Sequence, residues 1–418
     1  MNYKMKFRDY QKQIIRKGIE VLKRHRFLYL AMEVRTGKTL TSLGIADLMG
    51  AENVLFVTKK KAIGSVEADY ALLAPKLSLF TINYESLHKI PDTKWDLVVL
   101  DEAHTLGAFP KPSKRAKQAR DIIAKHRPMV ILLSGTPTPE SYSQMYHQVY
   151  GIPGNPFREY KNFYRFCDDH VNKVQRQING FMVNDYSGGK QSINRLMEPY
   201  MISYTQKQAG FESEIEEEIL TVQVNTKDIC KQLKKDLVVE MDDEVILADT
   251  GVKLMSKLHQ MYSGTVKFES GNSMVLDTSK ADFIKWKFNG QKIGIFYKFK
   301  EELNALKQVF GDQLCTDLET FDTTDKHIAL QIVSGREGIS LRNADFIVFY
   351  NIDFSATSYW QARDRMTTKG RKYNKVYWIF SDGGIEKKVY KAVIQKKDYT
   401  LRHFKKDVSS QDIRPGRL

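Results

Sequence analysis

Hydrophobic residues in this chain fall into short runs that arrive in two sets. The first set is LYLAM (28–32), NVLFVT (53–58), LSLFTI (77–82), DLVVLDEA (96–103) and PMVILLSGT (128–136). Stretches with helix-like apolar spacing separate them. Short, nearly continuous apolar runs alternating with helical segments predict a parallel sheet covered by helices on both faces. A second set follows with the same grammar: KIGIFY (292–297), HIALQIV (327–333), ADFIVFYN (344–351) and KVYWIF (375–380). The pattern therefore predicts an α/β protein of two parallel-sheet lobes.

Between the sets the texture changes. Residues 151–210 are aromatic and polar, as in FREYKNFYRFCDDH (157–170), and read as packed helices and loops. The aromatic residues there are expected to pack between helices rather than stack on bases. ESEIEEEI (212–219) reads as a solvated, charged connector. Residues 226–262 read as helical, with Leu233, Leu237, Leu254, Leu258 and Met261 at helical spacings. The expected organisation is a first lobe over 1–150, a helical insertion and linker over 151–225, a second lobe over 226–400 and a basic tail over 401–418, with the lobe boundary near 205–225.

With 418 residues the chain is long enough for two domains, each with its own core. Apolar runs are too short to span a bilayer, and MNYKMKFRDYQKQ is not followed by the apolar stretch of a signal peptide. A cytoplasmic location is expected, the host cytoplasm if the source is viral, with no membrane partner. Cys167, Cys230 and Cys315 lie far apart without metal-ligand spacing, which predicts free thiols. Lys and Arg total 65 against 50 acids, a net charge of +15. Such an excess suits a polyanionic partner, because neutralising phosphates releases counterions.

Three strings carry chemistry. EVRTGKT (33–39) follows the run LYLAM and precedes a helical stretch. In that context, backbone amides at a helix start can cradle phosphate, Lys38 can reach the β/γ-phosphates and Thr39 can bind Mg²⁺. Met32 stands where the usual first glycine would be, so a fortuitous GKT in a loop is also compatible with these residues. DEAH (101–104) ends the run DLVVL, where Asp101 can hold Mg²⁺ through water and Glu102 can polarise an attacking water. A single such carboxylate could equally cap a helix. SGTP (134–137) follows a third apolar run and by itself is only a turn.

In this order and at these strand ends, the three strings resemble motifs I, II and III of superfamily-two helicases, the group that includes the Swi/Snf-like translocases. FRDYQ (7–11) resembles the adenine-reading Q motif, VLFVTKK (54–60) motif Ia, and INYESL (82–87) a segment typical of Swi/Snf-like proteins. KIGIFYKFKEELNAL (292–306), IVSGREGISLRNAD (332–345) and QARDRMTTKGR (361–371) resemble motifs IV, V and VI. The resemblance spans nearly all of residues 7–395. It implies two RecA-like lobes, with ATP and Mg²⁺ as cofactors.

Position by position, the resemblance implies catalysis by Lys38, Glu102 and Arg365, the last reaching the γ-phosphate from the second lobe. It implies nucleotide contacts by Arg8, Gln11, Gly37, Lys38, Thr39, Asp101 and Gly338, with Thr39 and Asp101 on the metal. His104, Ser134 and Thr136 would couple hydrolysis to movement. Thr58, Lys59 and Ser334, with Gly338, lie where the family touches nucleic-acid backbone. Two departures stand out: Arg35 replaces a usual glycine, and Thr368 stands where motif VI usually carries a second arginine.

The implied activity is that of an ATP-dependent motor whose step is largely independent of sequence, because such contacts are mainly to phosphate. Duplex or branched DNA is the expected partner, and a monomer the expected state. A nuclease or recombination partner is left open. The alternatives are an unwinding or branch-migrating helicase in recombination or repair, and a nucleotide-gated binding module that barely hydrolyses ATP.

Overall fold

The computed structural model describes residues 6–178, 181–210, 214–249, 251–332, 341–353, 373–387 and 389–390. The chain divides into two compact units, the first reaching Gly210 and the second beginning at Phe211.

In the first unit the elements are α1 (Asp9–His25), β1 (Phe27–Met32), α2 (Lys38–Leu48), β2 (Asn53–Thr58), α3 (Ile63–Leu73), β3 (Ser78–Asn83), β4 (Leu97–Leu100), α4 (Lys114–His126), β5 (Met129–Leu133), α5 (Met145–Val149), α6 (Phe163–His170), β6 (Val171–Ile178), β7 (Phe181–Gly189), α7 (Ser192–Met197) and β8 (Met201–Tyr204). Six described strands form one parallel sheet in the order β3-β2-β4-β5-β1-β8. All six residues of β1 are buried, because successive side chains enter different cores. Phe27, Tyr29 and Ala31 join the cluster on one face, and Leu28, Leu30 and Met32 the cluster on the other.

The second unit repeats the plan. It contains β9 (Glu214–Val222), α8 (Lys227–Asp236), β10 (Val238–Met241), β11 (Glu244–Leu247), α9 (Gly251–Tyr262), β12 (Thr265–Lys267), β13 (Ser273–Val275), α10 (Ser279–Lys287), β14 (Ile293–Tyr297), α11 (Lys300–Phe310), β15 (Leu314–Cys315), α12 (Leu318–Thr323), β16 (His327–Gln331), β17 (Phe346–Phe349) and β18 (Tyr373–Ser381). Its six described strands are parallel, in the order β15-β16-β14-β17-β18-β9. Val376, Trp378 and Phe380 of β18 face one core, and Tyr377 and Ile379 the other. Two parallel sheets clad in helices are the architecture of RecA-like lobes.

The segment between the lobes differs from the helical reading. It holds α6 and α7, but also the antiparallel hairpin β6-β7, and its end supplies β8 to the first sheet. Val174, Met182 and Val183 of the hairpin are exposed, so no alternation of buried apolar and exposed polar residues marks these strands. The Asn179-Gly180 dipeptide was the available signal for a hairpin turn. Phe163 and Phe166 do pack inward, against Tyr146 and Phe157.

ESEIEEEI is no free connector either, since its residues from Glu214 onward begin edge strand β9. The strand pairs with β18 along its length, and Lys375 lies 3.1 Å from Glu216 and 2.8 Å from Glu218. Carboxylates on an edge strand also discourage pairing with other chains. Residues 226–262 are not one helix: the hairpin β10-β11 separates α8 from α9. Leu237, read as part of a helical face, instead ends α8 in a left-handed conformation and is exposed. Leu233, Leu258 and Met261 pack into a small core of their own with Val239 and Ile246. The basic tail expected at 401–418 lies outside the described residues. Cys167, Cys230 and Cys315 are buried free thiols.

One charged pair is sealed inside the second unit. Lys280 and Glu386 are 1% and 0% exposed and 3.0 Å apart. The Lys280 ammonium also donates to the Tyr350 carbonyl at 3.2 Å, and the Ser381 amide to Glu386 at 3.3 Å. Burial opposes charge on Glu386, but Lys280 overcomes it and holds the carboxyl below its ordinary value. Glu386→Ala would strand a buried ammonium, a change expected to cost about 3–5 kcal/mol in denaturant unfolding. Since the folded carboxyl titrates low, its contribution is present above the ordinary carboxylate range and disappears as pH falls through the depressed value. A variant as stable as the parent would show that the pair does not hold this core.

Candidate functional site

Parallel α/β sheets present their sites at the carboxyl ends of the strands, where loops lead into helices. In the first unit, β1, β2, β4 and β5 end side by side, and the sequence motifs lie at those ends. After β1 comes the loop Glu33–Gly37, and α2 opens at Lys38. Gly37 has φ 79°, a left-handed conformation that favours glycine. Arg35 adopts φ 62°, left-handed without glycine's freedom. Thr36 is buried and its hydroxyl donates to the Glu33 carbonyl at 2.7 Å. The Lys38 ammonium reaches that carbonyl at 3.4 Å.

Helix α1 braces this loop from outside. The Arg8 amide donates to Gln11 Oε1 at 3.0 Å, which fixes the amide group of Gln11 at the helix start. Gln11 Nε2 then lies 3.4 Å from both the Gly37 carbonyl and Thr41 Oγ1. Tyr10 donates its hydroxyl to the Thr36 carbonyl at 3.1 Å and receives a bond from Arg8 at 2.9 Å. Gln11 and Arg8 are thereby beside the loop. Tyr10, which lies within FRDYQ but is not among the residues that string implies, holds the loop as well.

Asp101 and Glu102 follow β4. The Asp101 amide donates to the Val57 carbonyl at 2.8 Å, and Thr58 donates its hydroxyl to Asp101 Oδ2 at 2.7 Å. Thr58, expected at nucleic-acid backbone, is buried and bonded to the acid. Neighbouring Lys59 is half-buried. Burial, then the charge of Glu102, pushes the Asp101 carboxyl up to about 6, while Lys38 and the Thr58 hydroxyl act in the opposite direction. Lys38 is thus close enough for its charge to act on Asp101. The Tyr84 hydroxyl donates to the Asp101 carbonyl at 2.6 Å. Burial, with Asp101 and Glu102 nearby, holds that phenol protonated, well above its ordinary range. Tyr84 belongs to the INYESL string, whose spacing gave no hint of this bond.

Glu102 is left-handed, φ 50°. Its Oε2 lies 3.3 Å from His104 Nδ1, which is also 3.0 Å from Ser134 Oγ. Ser134 in turn accepts from the Thr136 amide at 3.1 Å. Glu102, His104, Ser134 and Thr136 therefore form a continuous polar chain from β4 to the turn after β5. That turn lies against the phosphate-type loop: a side chain at Gly135 would contact the Met32 carbonyl and the Val34 amide. Arg365, Ser334 and Gly338, with Thr368, lie outside the described residues.

Residues 51–231 match the model of the SNF2-related domain, and residues 4–66 that of the type III restriction enzyme res subunit. Over residues 51–231, less than half of its length, the chain is similar to SNF2-related domains. Among curated relatives, the RNA polymerase-associated protein RapA of Serratia proteamaculans is 32% identical over 77 residues, 18% of this chain and 8% of that protein. RapA of Yersinia enterocolitica is 31% identical over 81 residues, 19% of this chain and 8% of that one. The chain thus matches only a small fraction of the length of these relatives. Among solved structures, the ATP-dependent type ISP restriction-modification enzyme LlaBIII bound to DNA superposes with a TM-score of 0.51 at 13% identity, over 96% of this chain and 30% of that one. That likeness shows the fold. The Sulfolobus solfataricus SWI2/SNF2 ATPase core in complex with dsDNA gives 0.43 at 15% identity, covering 98% and 94%.

Gly37 tests the bracing by α1. A Cβ there would fall 2.5 Å from Gln11 Nε2, on a backbone already left-handed. Gly37→Ala is expected to lower stability by about 1–2 kcal/mol from the backbone alone. Thermal unfolding measures the loss, and a loss no larger than this backbone cost would mean that Gln11 does not pack on the loop.

Proposed function

We propose that this chain is a Swi/Snf-like, DNA-dependent ATPase that uses hydrolysis to translocate along duplex DNA. The observation carrying the proposal is the gathering of Lys38, Asp101 and Glu102 at the carboxyl ends of the first sheet, with Thr39 next to Lys38 in α2 and the His104–Ser134 bond leading away. The residues suit ATP with Mg²⁺: a left-handed glycine opens an eleven-residue helix, a lysine stands at that opening, and a hydroxyl and a carboxylate are the oxygen donors such a cation takes.

Lys38 would leave the Glu33 carbonyl for the β/γ-phosphate oxygens, while the amides around Gly37 receive the phosphates. Thr39 and Asp101 would hold Mg²⁺, which neutralises charge on the phosphates when bound. Glu102 would orient the attacking water and accept its proton. The protonation state of Glu102 would be felt by His104, and through Ser134 by the Thr136 amide. Gln11 and Arg8 would face the base. Arg365 would stabilise charge on the transferred phosphoryl group, and Gly338 would join the nucleotide contacts. Lys59, Ser334 and Gly338 would track the nucleic-acid backbone, with the bond to Asp101 making Thr58 a support for the acid as well.

The net charge of +15 favours a polyanion, and the DNA bound by the structural neighbour supports the choice of DNA. A second reading, a nucleotide-gated DNA-binding module with slow hydrolysis, is favoured by Arg35 in a left-handed conformation and by Thr368 in motif VI. A threonine offers one neutral hydroxyl where an arginine offers a planar cationic fork.

Lys38→Ala is expected to abolish ATP hydrolysis with the fold intact, and Glu102→Gln to abolish it while retaining ATP binding. Arg365→Ala should lower kcat by roughly 10³-fold or more, the range of a trans-acting arginine. Thr368→Arg should leave turnover equal or higher. Steady-state ATPase assays with nucleotide titrations check all four. Parental turnover in Lys38→Ala or Glu102→Gln would refute the site. A neutral Arg365→Ala beside an inactive Arg363→Ala would shift the arginine role to Arg363.

A further inference from the structure

The loop that follows β1 lacks the glycine expected at position 32, and carries Arg35 where another glycine is usual. It is held instead by the chain that leaves β8, some 170 residues later. The Glu33 amide donates to the Tyr204 carbonyl at 2.9 Å. The Gln206 amide donates to Glu33 Oε2 at 2.8 Å, and Gln206 Nε2 to the Val34 carbonyl at 3.0 Å. Tyr204 also stacks on Tyr10 at 4.7 Å between ring centroids, and Tyr10 donates to the Thr36 carbonyl. Glu33, Val34 and Thr36 are therefore each gripped from outside the loop.

Local conformation explains why such a grip matters. A loop with few glycines has no intrinsic preference for a left-handed residue, and Arg35 is left-handed by constraint rather than by propensity. Gln206 spans the residue immediately before Arg35: its backbone binds the side chain of Glu33 and its side chain binds the carbonyl of Val34. Rotation of the peptide between Val34 and Arg35 would break the bond from Gln206 Nε2 to the Val34 carbonyl, so that bond opposes a change in the Arg35 conformation. Gln206 lies four residues before Gly210, where the first unit ends.

We infer that Gln206 is a positioning residue for the phosphate loop, supplying from the β8 exit segment a constraint that holds the left-handed turn where the loop lacks glycine's conformational freedom. The inference rests on the nucleotide-binding reading of that loop. Gln206→Met keeps the length and volume of the side chain and removes its amide. Loss of one neutral hydrogen bond of about 1 kcal/mol corresponds to roughly a fivefold weakening.

Equilibrium titration with ADP and steady-state ATP kinetics, on the full chain, test it. Gln206→Met should raise the ADP dissociation constant and the KM for ATP on the order of fivefold, with kcat at saturation nearly unchanged. Arg35→Gly, which relieves the left-handed residue, should restore much of that loss in the Gln206→Met background and have less effect in the parent. An unchanged affinity in Gln206→Met, or equal effects of Arg35→Gly in both backgrounds, would overturn the inference while leaving nucleotide binding by the parent intact. A parent that binds no ADP would instead overturn the nucleotide reading itself, and the inference with it. Gln206→Asn serves as the control: its shorter amide should fall between the parent and Gln206→Met, and a Gln206→Asn affinity below that of Gln206→Met would also count against the inference.

Discussion

Two carboxylates on consecutive residues, Asp101 and Glu102, stand where β4 ends, and keeping them partnered at a buried strand end is the constraint on which the site depends. Burial and Glu102 both disfavour charge on Asp101. The surroundings answer with donors: the Thr58 hydroxyl on Asp101 Oδ2, the positive charge of Lys38, and the His104 ring beside Glu102. Thr58 comes from the end of β2 and Lys38 from beyond β1, so the partners of Asp101 depend on the strand order β2-β4-β5-β1, whereas His104 follows the acids directly. Tyr84 adds a bond to the Asp101 carbonyl and fixes the backbone that carries both acids.

The same arrangement places the loop before α2. That loop is shaped less by its own residues than by neighbours on both sides: Tyr10 and Gln11 from α1, Tyr204 and Gln206 from beyond β8. A motif that departs from its family's glycines can therefore retain a left-handed turn, because long-range hydrogen bonds replace local freedom. The β8 strand that makes this possible is an addition to the sheet beside β1, drawn from the segment between the two lobes.

Strands buried on both faces were the most legible elements. NVLFVT is β2 from first residue to last, and IGIFY is β14, because a continuous apolar run has few other uses. Polar strands were not legible. In β9 the acids at 214, 216 and 218 hid an edge strand whose partners lie far along the chain at 373–381. The β6-β7 hairpin was hidden for a related reason, since Val174, Met182 and Val183 are exposed. Within the site, residues in contiguous strings could be named from the sequence, as with Lys38, Asp101 and Glu102. Contacts made by isolated residues could not: nothing in the spacing of Tyr84, Tyr204 or Gln206 announces a bond to the acidic pair or the loop. The Thr58 hydroxyl could be placed at a strand end, but its bond to Asp101 depends on the pairing of β2 with β4.

We propose that the site at the carboxyl ends of the first sheet hydrolyses ATP in response to DNA. Its most direct test compares the ATPase rate of the full chain without polymer, with duplex DNA, with single-stranded DNA and with RNA, each across a range of salt. The account predicts the greatest stimulation by duplex DNA, with apparent affinity falling as salt rises by a log–log slope of about −0.9 per phosphate neutralised. Stimulation by RNA alone, or a DNA response indifferent to salt, would contradict it.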